Sequence, residues 1–597
     1  MAPIRVWAPN ARVVECVVGA ARHPMEQEPA GWWSWTPDGD GRVDYLFSVD
    51  GGDGVPDPRS AWLPRGVHGP SRTFDTQAFD WTDHDWRGPR DGRGALGGVF
   101  YELHLGTFTR PGTLVSAIAH LDHLVDLGVD VVEVMPVAAF GGIHGWGYDG
   151  VQPYAVHQAY GGPLAFQVFV DACHARGLGV CLDVVYNHLG PVGNYLSTFG
   201  PYFTTQHPTP WGPAVNLDGP GSEEVRRWVL DNALRWFRDF HVDALRLDAV
   251  HALHDHSGRH ILAELSDETA DLSVRLGRPL ELIAESDLND PVMVTPTAEG
   301  GRGMTAQWAD DVHHALHVTL TGERQGYYAD FAGGTEAWPD GTPLRVLAKT
   351  LTEVFLHDGR MSTFRGAPWG APVDRREVSG HRFLAYLQNH DQVGNRALGD
   401  RISETISPGQ QAIGAALYLL SPFTPMIFMG EEWRASTPFQ FFTSFDDQWL
   451  ADAVRQGRRQ EFASHGWAAD DVPDPQDPAT RGASVLNWPE CNTPGHTAML
   501  DFYRELIGTR RREPDLSSGD LSATTVEFDE DDGWLVMHRG LVHVVCNLGQ
   551  RARTVPLDAG LIDKVLVSWG RAPIVDEHGV HLDGHDVAVV RCVRDAG

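Results

Sequence analysis

The sequence predicts an α/β protein: a (β/α)8 barrel with a β-sandwich before it and an antiparallel β domain after it. Three observations predict this. Across residues 91–515, eight short apolar, β-branched runs alternate with longer amphipathic segments, the pattern of strands and helices wound into a parallel sheet. On either side of that segment, short strand-like runs recur between turn residues with no helical period. At 597 residues, the chain is long enough for one enzyme-sized domain with accessories.

Residues 1–90 hold strand-like runs at 4–7, 13–18 and 45–49, parted by Pro9-Asn10 and by the glycines of 51–54. That density of turns predicts an immunoglobulin-like sandwich. Arg90-Asp91-Gly92-Arg93-Gly94 reads as a linker. The barrel strands are expected at 99–103, 129–135, 179–185, 244–247, 282–284, 305–308, 383–388 and 426–429. Helices are expected at 114–127, 166–176 and 223–240, the last with Ser222 as N-cap and two glutamates in its first turn. About 420 residues is long for this fold, so strand-to-helix loops must carry insertions. Residues 405–430 lack charge, but Pro408, Pro422 and Pro425 divide them into a buried helix, a turn and a buried strand, not a membrane span. Runs at 524–528, 534–538, 541–547, 564–568 and 587–592 make 516–597 an antiparallel β domain.

The chain carries 80 Asp and Glu against 47 Lys and Arg, a net charge of −33. Such a chain repels a phosphate backbone, which argues against a nucleic-acid partner. Only two cations are lysines, Lys349 and Lys564, and neither follows a glycine. A phosphate-binding Gly-Lys-Ser/Thr is therefore missing, and Schiff-base chemistry has few candidates. The six cysteines are scattered without CxxC spacing and fit reduced core thiols. Met1-Ala-Pro-Ile-Arg-Val-Trp7 has no apolar signal core. The expectation is a cytoplasmic protein with no membrane partner and no cofactor.

Two motifs mislead. Gly145-Trp-Gly-Tyr-Asp-Gly150 matches a dinucleotide fingerprint in letters, but it follows no strand directly and Pro153 stands where a helix should begin. His313, His314 and His317 resemble a zinc helix, yet the HExxH glutamate is missing. An aromatic loop and a polar loop or helix start are the better readings.

In a barrel enzyme the reacting groups lie at the C-terminal strand ends. The third strand runs into Asp183-Val-Val-Tyr-Asn-His188, the fourth into Arg246-Leu-Asp248-Ala-Val-His251, the fifth into Glu285-Ser-Asp287 and the seventh into Asn389-His-Asp391. A lone acid there is usually a solvated loop residue. Three on one rim, Asp248, Glu285 and Asp391, with Arg246 beside them, point to a site. Arg246 and Asp248 are two apart on a strand and face the same way, so the guanidinium favours the charged carboxylate a nucleophile needs. Glu285 follows Leu282-Ile-Ala284, where partial burial would raise its pKa towards a general acid's. One charged and one protonated carboxyl is the machinery of glycoside hydrolysis.

These four segments resemble, in order and on the matching strands, the four conserved regions of the α-amylase family of glycoside hydrolases. Val6-Trp-Ala-Pro-Asn-Ala11 resembles the N-terminal sandwich of branching enzymes and isoamylases. The resemblance implies Asp248 as nucleophile, Glu285 as general acid/base and Asp391 as transition-state stabiliser. His188, Arg246 and His390 would hold the sugar ring, with Tyr148 stacking on it. The implied reaction is retaining, with carboxyl groups roughly 5–5.5 Å apart. Several family members bind calcium near the position of Asn187, but no further acidic ligand set compels a metal, and none is expected for catalysis.

Asn389-His-Asp-Gln-Val-Gly-Asn-Arg396 departs from the His-Asp-Glu usual in branching enzymes. With Trp308-Ala-Asp-Asp-Val-His-His-Ala-Leu-His317 and Thr424-Pro-Met-Ile-Phe-Met-Gly-Glu-Glu-Trp433, it is similar to the maltooligosyltrehalose trehalohydrolase branch of the family. That implies cleavage of the α-1,4 bond beside a terminal trehalose unit, with maltooligosyltrehalose and related α-1,4-glucans as substrates. A leaving-group side shaped for this disaccharide needs aromatic faces and polar groups. The 142–150 loop (Trp146, Tyr148, Asp149), Trp211 and the 308–314 loop (Asp311) are expected to supply them. The alternatives are a glycogen-branching or debranching enzyme with the same carboxylates, and a non-catalytic glucan-binding protein, disfavoured because all three carboxylates remain.

Overall fold

The computed structural model describes residues 3–39, 41–463, 471–557, 561–576 and 578–593; Met1 and Ala2 lie outside it. Among the described residues, eight strands close a barrel: Phe100–Leu103, Val131–Val134, Gly179–Val184, Ala244–Leu247, Glu281–Ala284, Ala306–Trp308, Phe383–Ala385 and Thr424–Phe428. Every neighbouring pair is parallel, as the alternation of apolar runs with helices requires.

The two-residue period of a strand sets what fills this barrel. Phe100, Val131, Cys181, Ala244 and Ile283 belong to one buried apolar cluster. The residues two further on are Glu102, Glu133, Asp183, Arg246 and Glu285, and the registers bring Glu102 beside Glu133 and Asp183 beside Arg246. An apolar floor thus gives way to a charged layer towards the C-terminal rim.

The clearest outer helix is Ser222–Asp239, which buries Val225, Trp228, Val229, Leu230, Trp236 and Phe237. Each such side chain contributes about 1.5–3 kcal/mol when removed from water. Its cap is Gly221 at φ 78°, and Ser222 is the first helical residue, so the expected serine cap is corrected: the left-handed entry suits glycine. The expected helix at 114–127 is two, Leu114–Ile118 and Leu121–Leu127. His120 between them leaves helical geometry at φ −110°, ψ 3° and stacks on Trp488 at 3.9 Å. Residues 405–430 form the helix Pro408–Leu419, capped by Ser407, and the eighth strand. No helix among the described residues is long and apolar enough to cross a membrane.

Before the barrel lie a three-stranded and a four-stranded sheet, whose strands include Ile4–Trp7, Trp32–Trp35, Val14–Val18 and Asp44–Val49. Residues 90–94 form part of a tight turn, with Arg90 and Asp91 at positive φ. After the barrel, Thr524–Asp529, Trp534–Arg539, Val542–Asn547, Asp586–Val593 and Leu561–Ser568 form a five-stranded sheet backed by three short strands. Two hairpins rise from the barrel loops: Phe203–Thr209 with Gly212–Val215, and Arg360–Ser362 with Ala367–Trp369.

Candidate active site

Arg246, fully buried on the fourth strand, is the hub of the charged layer. Its Nη1 donates to both Asp183 oxygens and to Asp248 Oδ1, each at 2.9 Å. Its Nη2 lies 3.5 Å from Glu285 Oε2, and the Trp308 ring faces the guanidinium at 4.3 Å. Asn187 Nδ2 donates to Asp248 Oδ2 at 2.8 Å. Ala249, next after Asp248, takes a left-handed backbone at φ 40°, a conformation costing about 1–2 kcal/mol outside glycine. Its N–H donates to Glu285 Oε2.

Burial pushes the Glu285 carboxyl well above the usual range; Arg246 opposes this, and Asp248, Asp391 and Asp310 reinforce it. Burial also lifts Asp183, against Arg246, and Asp310, against its Tyr386 bond, each to about 6. His390 goes the other way. Burial alone would lower it, but the Asp391 and Glu102 carboxylates outweigh that and hold it at about 9, so it is cationic at neutral pH. Its Nδ1 lies 2.5 Å from Glu102 Oε1, and its Nε2 lies 3.4 Å from Asp391 Oδ2.

Tyr148 stacks on His390 at 5.1 Å, and its hydroxyl donates to Asp183 at 2.6 Å. His188 Nε2 is 3.1 Å from the Tyr148 carbonyl. Trp211, exposed at the turn of the first hairpin, stacks on His188 at 4.7 Å and 11°. These residues therefore meet in one place with Asp248, Glu285 and Asp391. Trp146 lies behind that place: it is buried, stacks on Phe439, meets His390 edge-on at 5.7 Å and donates to the Gln440 carbonyl. Asp149 is half-buried, and burial raises its carboxyl to about 6. Asp311 is buried and accepts from Asn289 Nδ2 and from the Leu356 and His357 N–H groups, so it ties loops together.

A cleft of about 270 Å³ adjoins Asp391 and contains Asp287, Asn289, Tyr327, Phe364 and Arg365 in its lining. Tyr327 and Phe364 are exposed aromatic faces, and Arg365 pairs with Asp287 at 3.1 Å. Tyr327, Phe364 and Arg365 could not be singled out from the sequence because they come from loops remote from the strand ends, whereas Asp287 and Asn289 follow directly on the fifth strand. Asp183 was not singled out and Asn187 was considered only for calcium, though both stand in the segment that gave His188.

The two misleading motifs resolve structurally. Residues 145–150 lead into the strand Gly150–Val156, where the fingerprint requires a helix. His313, His314 and His317 lie on the helix Asp310–Thr321. There His313 Nδ1 meets the Leu387 carbonyl at 2.7 Å and His317 Nε2 meets Glu323 at 2.7 Å.

Residues 70–200 match the alpha amylase catalytic-domain family, and 519–589 match a domain family of unknown function. The chain is 48% identical to the malto-oligosyltrehalose trehalohydrolase of Mycobacterium tuberculosis over the whole of both chains. It is 50% identical to the one of Arthrobacter ramosus over 98% of this chain and 99% of that one. A solved putative alpha amylase from Salmonella typhimurium superposes with a TM-score of 0.88 at 37% identity, covering 99% of this chain and 97% of that one.

Proposed function

The chain belongs to the malto-oligosyltrehalose trehalohydrolase family and is a glycoside hydrolase of α-amylase type; on that premise, we propose that it cleaves the α-1,4 bond beside the terminal trehalose unit of maltooligosyltrehalose with retention at the anomeric carbon. One observation carries the mechanism: a single buried guanidinium grips Asp248 at 2.9 Å and reaches Glu285 at 3.5 Å. Glu285, kept protonated by burial, gives its proton to the departing glycosidic oxygen while Asp248 attacks the anomeric carbon. Glu285 then takes a proton from water, which releases the sugar from Asp248. The Asp391 carboxylate faces the positive charge that develops on the ring, stabilising the transition state more than the substrate, while the fixed guanidinium holds Asp248 in place for attack. Tyr148, His188 and His390 hold the ring whose bond is cut.

The acid marks the leaving-group side. Asp287 and Asn289 continue the chain from Glu285, so the cleft they line with Tyr327, Phe364 and Arg365 receives the leaving sugar. Aromatic faces for the rings and charged groups for the hydroxyls suit a disaccharide. Incubation with maltooligosyltrehalose and with maltoheptaose tests the reading. Free trehalose from the first, much slower turnover of the second and an α-configured first product by NMR are expected. A β-configured product would overturn retention, and equal rates would overturn the assignment of the cleft.

A further inference from the structure

The hairpin that brings Trp211 onto His188 also carries His207 on its first strand, and Asp218 follows its second. Facing them is His256, eight residues after Asp248 in the loop that leaves the fourth strand. His207 Nε2 lies 3.2 and 3.1 Å from the two Asp218 oxygens, and His256 Nδ1 lies 3.1 Å from Asp218 Oδ2. One ligand atom from each residue falls within 4.8 Å of the others. We propose that His207, Asp218 and His256 bind one divalent transition cation of zinc type, which staples the Trp211 hairpin to the loop behind Asp248.

The donor chemistry favours this ion class. Two imidazole nitrogens and one carboxylate suit zinc, cobalt or nickel, whereas calcium takes six to eight oxygens. Spacing agrees as well: with bonds of about 2.0–2.1 Å, the ligand atoms of a tetrahedral site stand about 3.3 Å apart. The observed nitrogen-to-oxygen separations are close to that edge, so an ion needs little movement of Asp218 against either histidine. The frame is also held independently of any ion. Asp255, beside His256, accepts from Arg226 Nη1 at 2.6 Å, from Ser257 N at 3.0 Å and from Ile261 N at 2.5 Å. The His254 ring stacks on His207 at 5.4 Å. His256 is largely exposed while Asp218 is not, at 72% and 10% of the side chain, which leaves room for water as a further ligand.

This place is separate from Asn187, whose amide is spent on Asp248 and on the Ala249 carbonyl. Nothing in the proposed reaction runs through the ion; it braces the wall on which Trp211 sits.

Untagged protein, stripped by chelation, is titrated with cobalt(II) and then with zinc(II). One equivalent of cobalt with visible d–d bands, displaced by zinc, is expected. Asp218→Asn and His256→Ala should each lose that equivalent, with binding weakened by at least about 100-fold, while metal-free turnover in His256→Ala stays at the wild-type value. Zinc should also slow proteolytic cutting of the 203–215 hairpin in wild type and not in His256→Ala. Absence of the bands at stoichiometric cobalt, or wild-type affinity and stoichiometry in both variants, would reduce the cluster to His-Asp hydrogen bonds. Unaltered proteolysis with cobalt bound would overturn the staple.

Discussion

The fourth barrel strand has a buried aspartate just before it and a half-buried one just after it, and the two live in opposite electrostatic worlds. Asp243, at the N-terminal end, is saturated. It accepts from Trp86 Nε1 at 2.8 Å, Val180 N at 2.9 Å and Arg278 Nη1 at 2.8 Å, and it meets His174 Nε2 at 3.0 Å. Burial would raise its carboxyl, but His174 and Arg278 outweigh that and hold it below the usual range. Asp248, at the C-terminal end, shares a single guanidinium with Asp183 and Glu285. There burial forces Glu285 and Asp183 upward against Arg246, and the Asp248 carboxylate adds to the rise. One end spends its charges on holding the barrel closed. The other keeps carboxyl groups under-compensated, which is the condition for moving a proton.

The largest effect that would break this contrast is at the upper end. Asp248→Asn should lower kcat by about 10^4-fold or more and shift Tm little, because Arg246 retains Asp183. A folded variant with substantial activity, measured by trehalose release, would remove Asp248 from the nucleophile's role. Asp243→Asn should invert the pattern. Breaking a buried, fully bonded ion pair costs about 3–5 kcal/mol, a large part of a domain's stability, while kcat per folded molecule stays near wild type. Denaturant unfolding and active-site titration separate the two quantities.

The contrast also explains which parts were legible. Asp248 and Glu285 could be read because each directly follows a strand whose apolar run announces it, and because Arg246 precedes Asp248 by one strand repeat. Asp391 could be read because the same kind of run precedes it, although the seventh strand stops at Ala385 and Asp391 sits on the short helix His390–Gly394. Asp243 stands just before the same run, but its partners Trp86, His174 and Arg278 come from three distant segments, and no local spacing links them. The cleft residues Tyr327, Phe364 and Arg365 were hidden for the same reason: they sit on loop insertions with no period of their own. Ser222 was misassigned as a cap because composition alone does not reveal that Gly221 enters the helix left-handed. Trp146 and Asp311 were both expected to contact substrate; packing sets the Trp146 ring behind His390, whereas Asp311 lines the cleft beside Asp391 while also accepting from Asn289, Leu356 and His357.

pH sharpens the comparison further. Glu285 has a raised folded pKa, so the folded protein holds a proton that the unfolded chain releases above about 4.3. Stability is therefore lost as pH rises from there to the folded value. Glu285→Gln removes that loss. Its Tm should match wild type near pH 4 and exceed it increasingly towards neutral pH, while kcat falls by about 10^2–10^4-fold. At the lower end the signs differ. Asp243, lowered, stabilises above about 3.9 and loses that contribution as pH falls through its folded value. His174 is raised: its buried ring is disfavoured as a cation, but Asp243 and Asp83 outweigh that. Its contribution is present below about 6.5 and lost as pH rises through the folded value. In Asp243→Asn, the acid-side loss of stability should flatten, whereas in Glu285→Gln the alkaline-side loss should. Calorimetric scans across pH read both, and the same slope in both variants would erase the distinction between the two ends.

The smallest effect concerns how far the upper end's design reaches. Trp211 touches no carboxylate; it stacks on His188, which is hydrogen-bonded through Nε2 to the carbonyl of Tyr148, the residue that in turn bonds Asp183. Burial pushes the His188 ring below its ordinary pKa, against the pull of Asp248, so it lies flat against the indole chiefly as a neutral ring. Stacking of this kind is worth about 0.5–1.5 kcal/mol, and none of it acts on the bond being broken. Trp211→Ala should therefore raise KM by a few-fold and leave kcat nearly intact, since the loss falls equally on substrate and transition state. A kcat loss of tenfold or more without a change in KM would mean that His188 depends on the hairpin for its working position. In that case the under-compensated end of the strand extends beyond the carboxylates into the loop that shelters them.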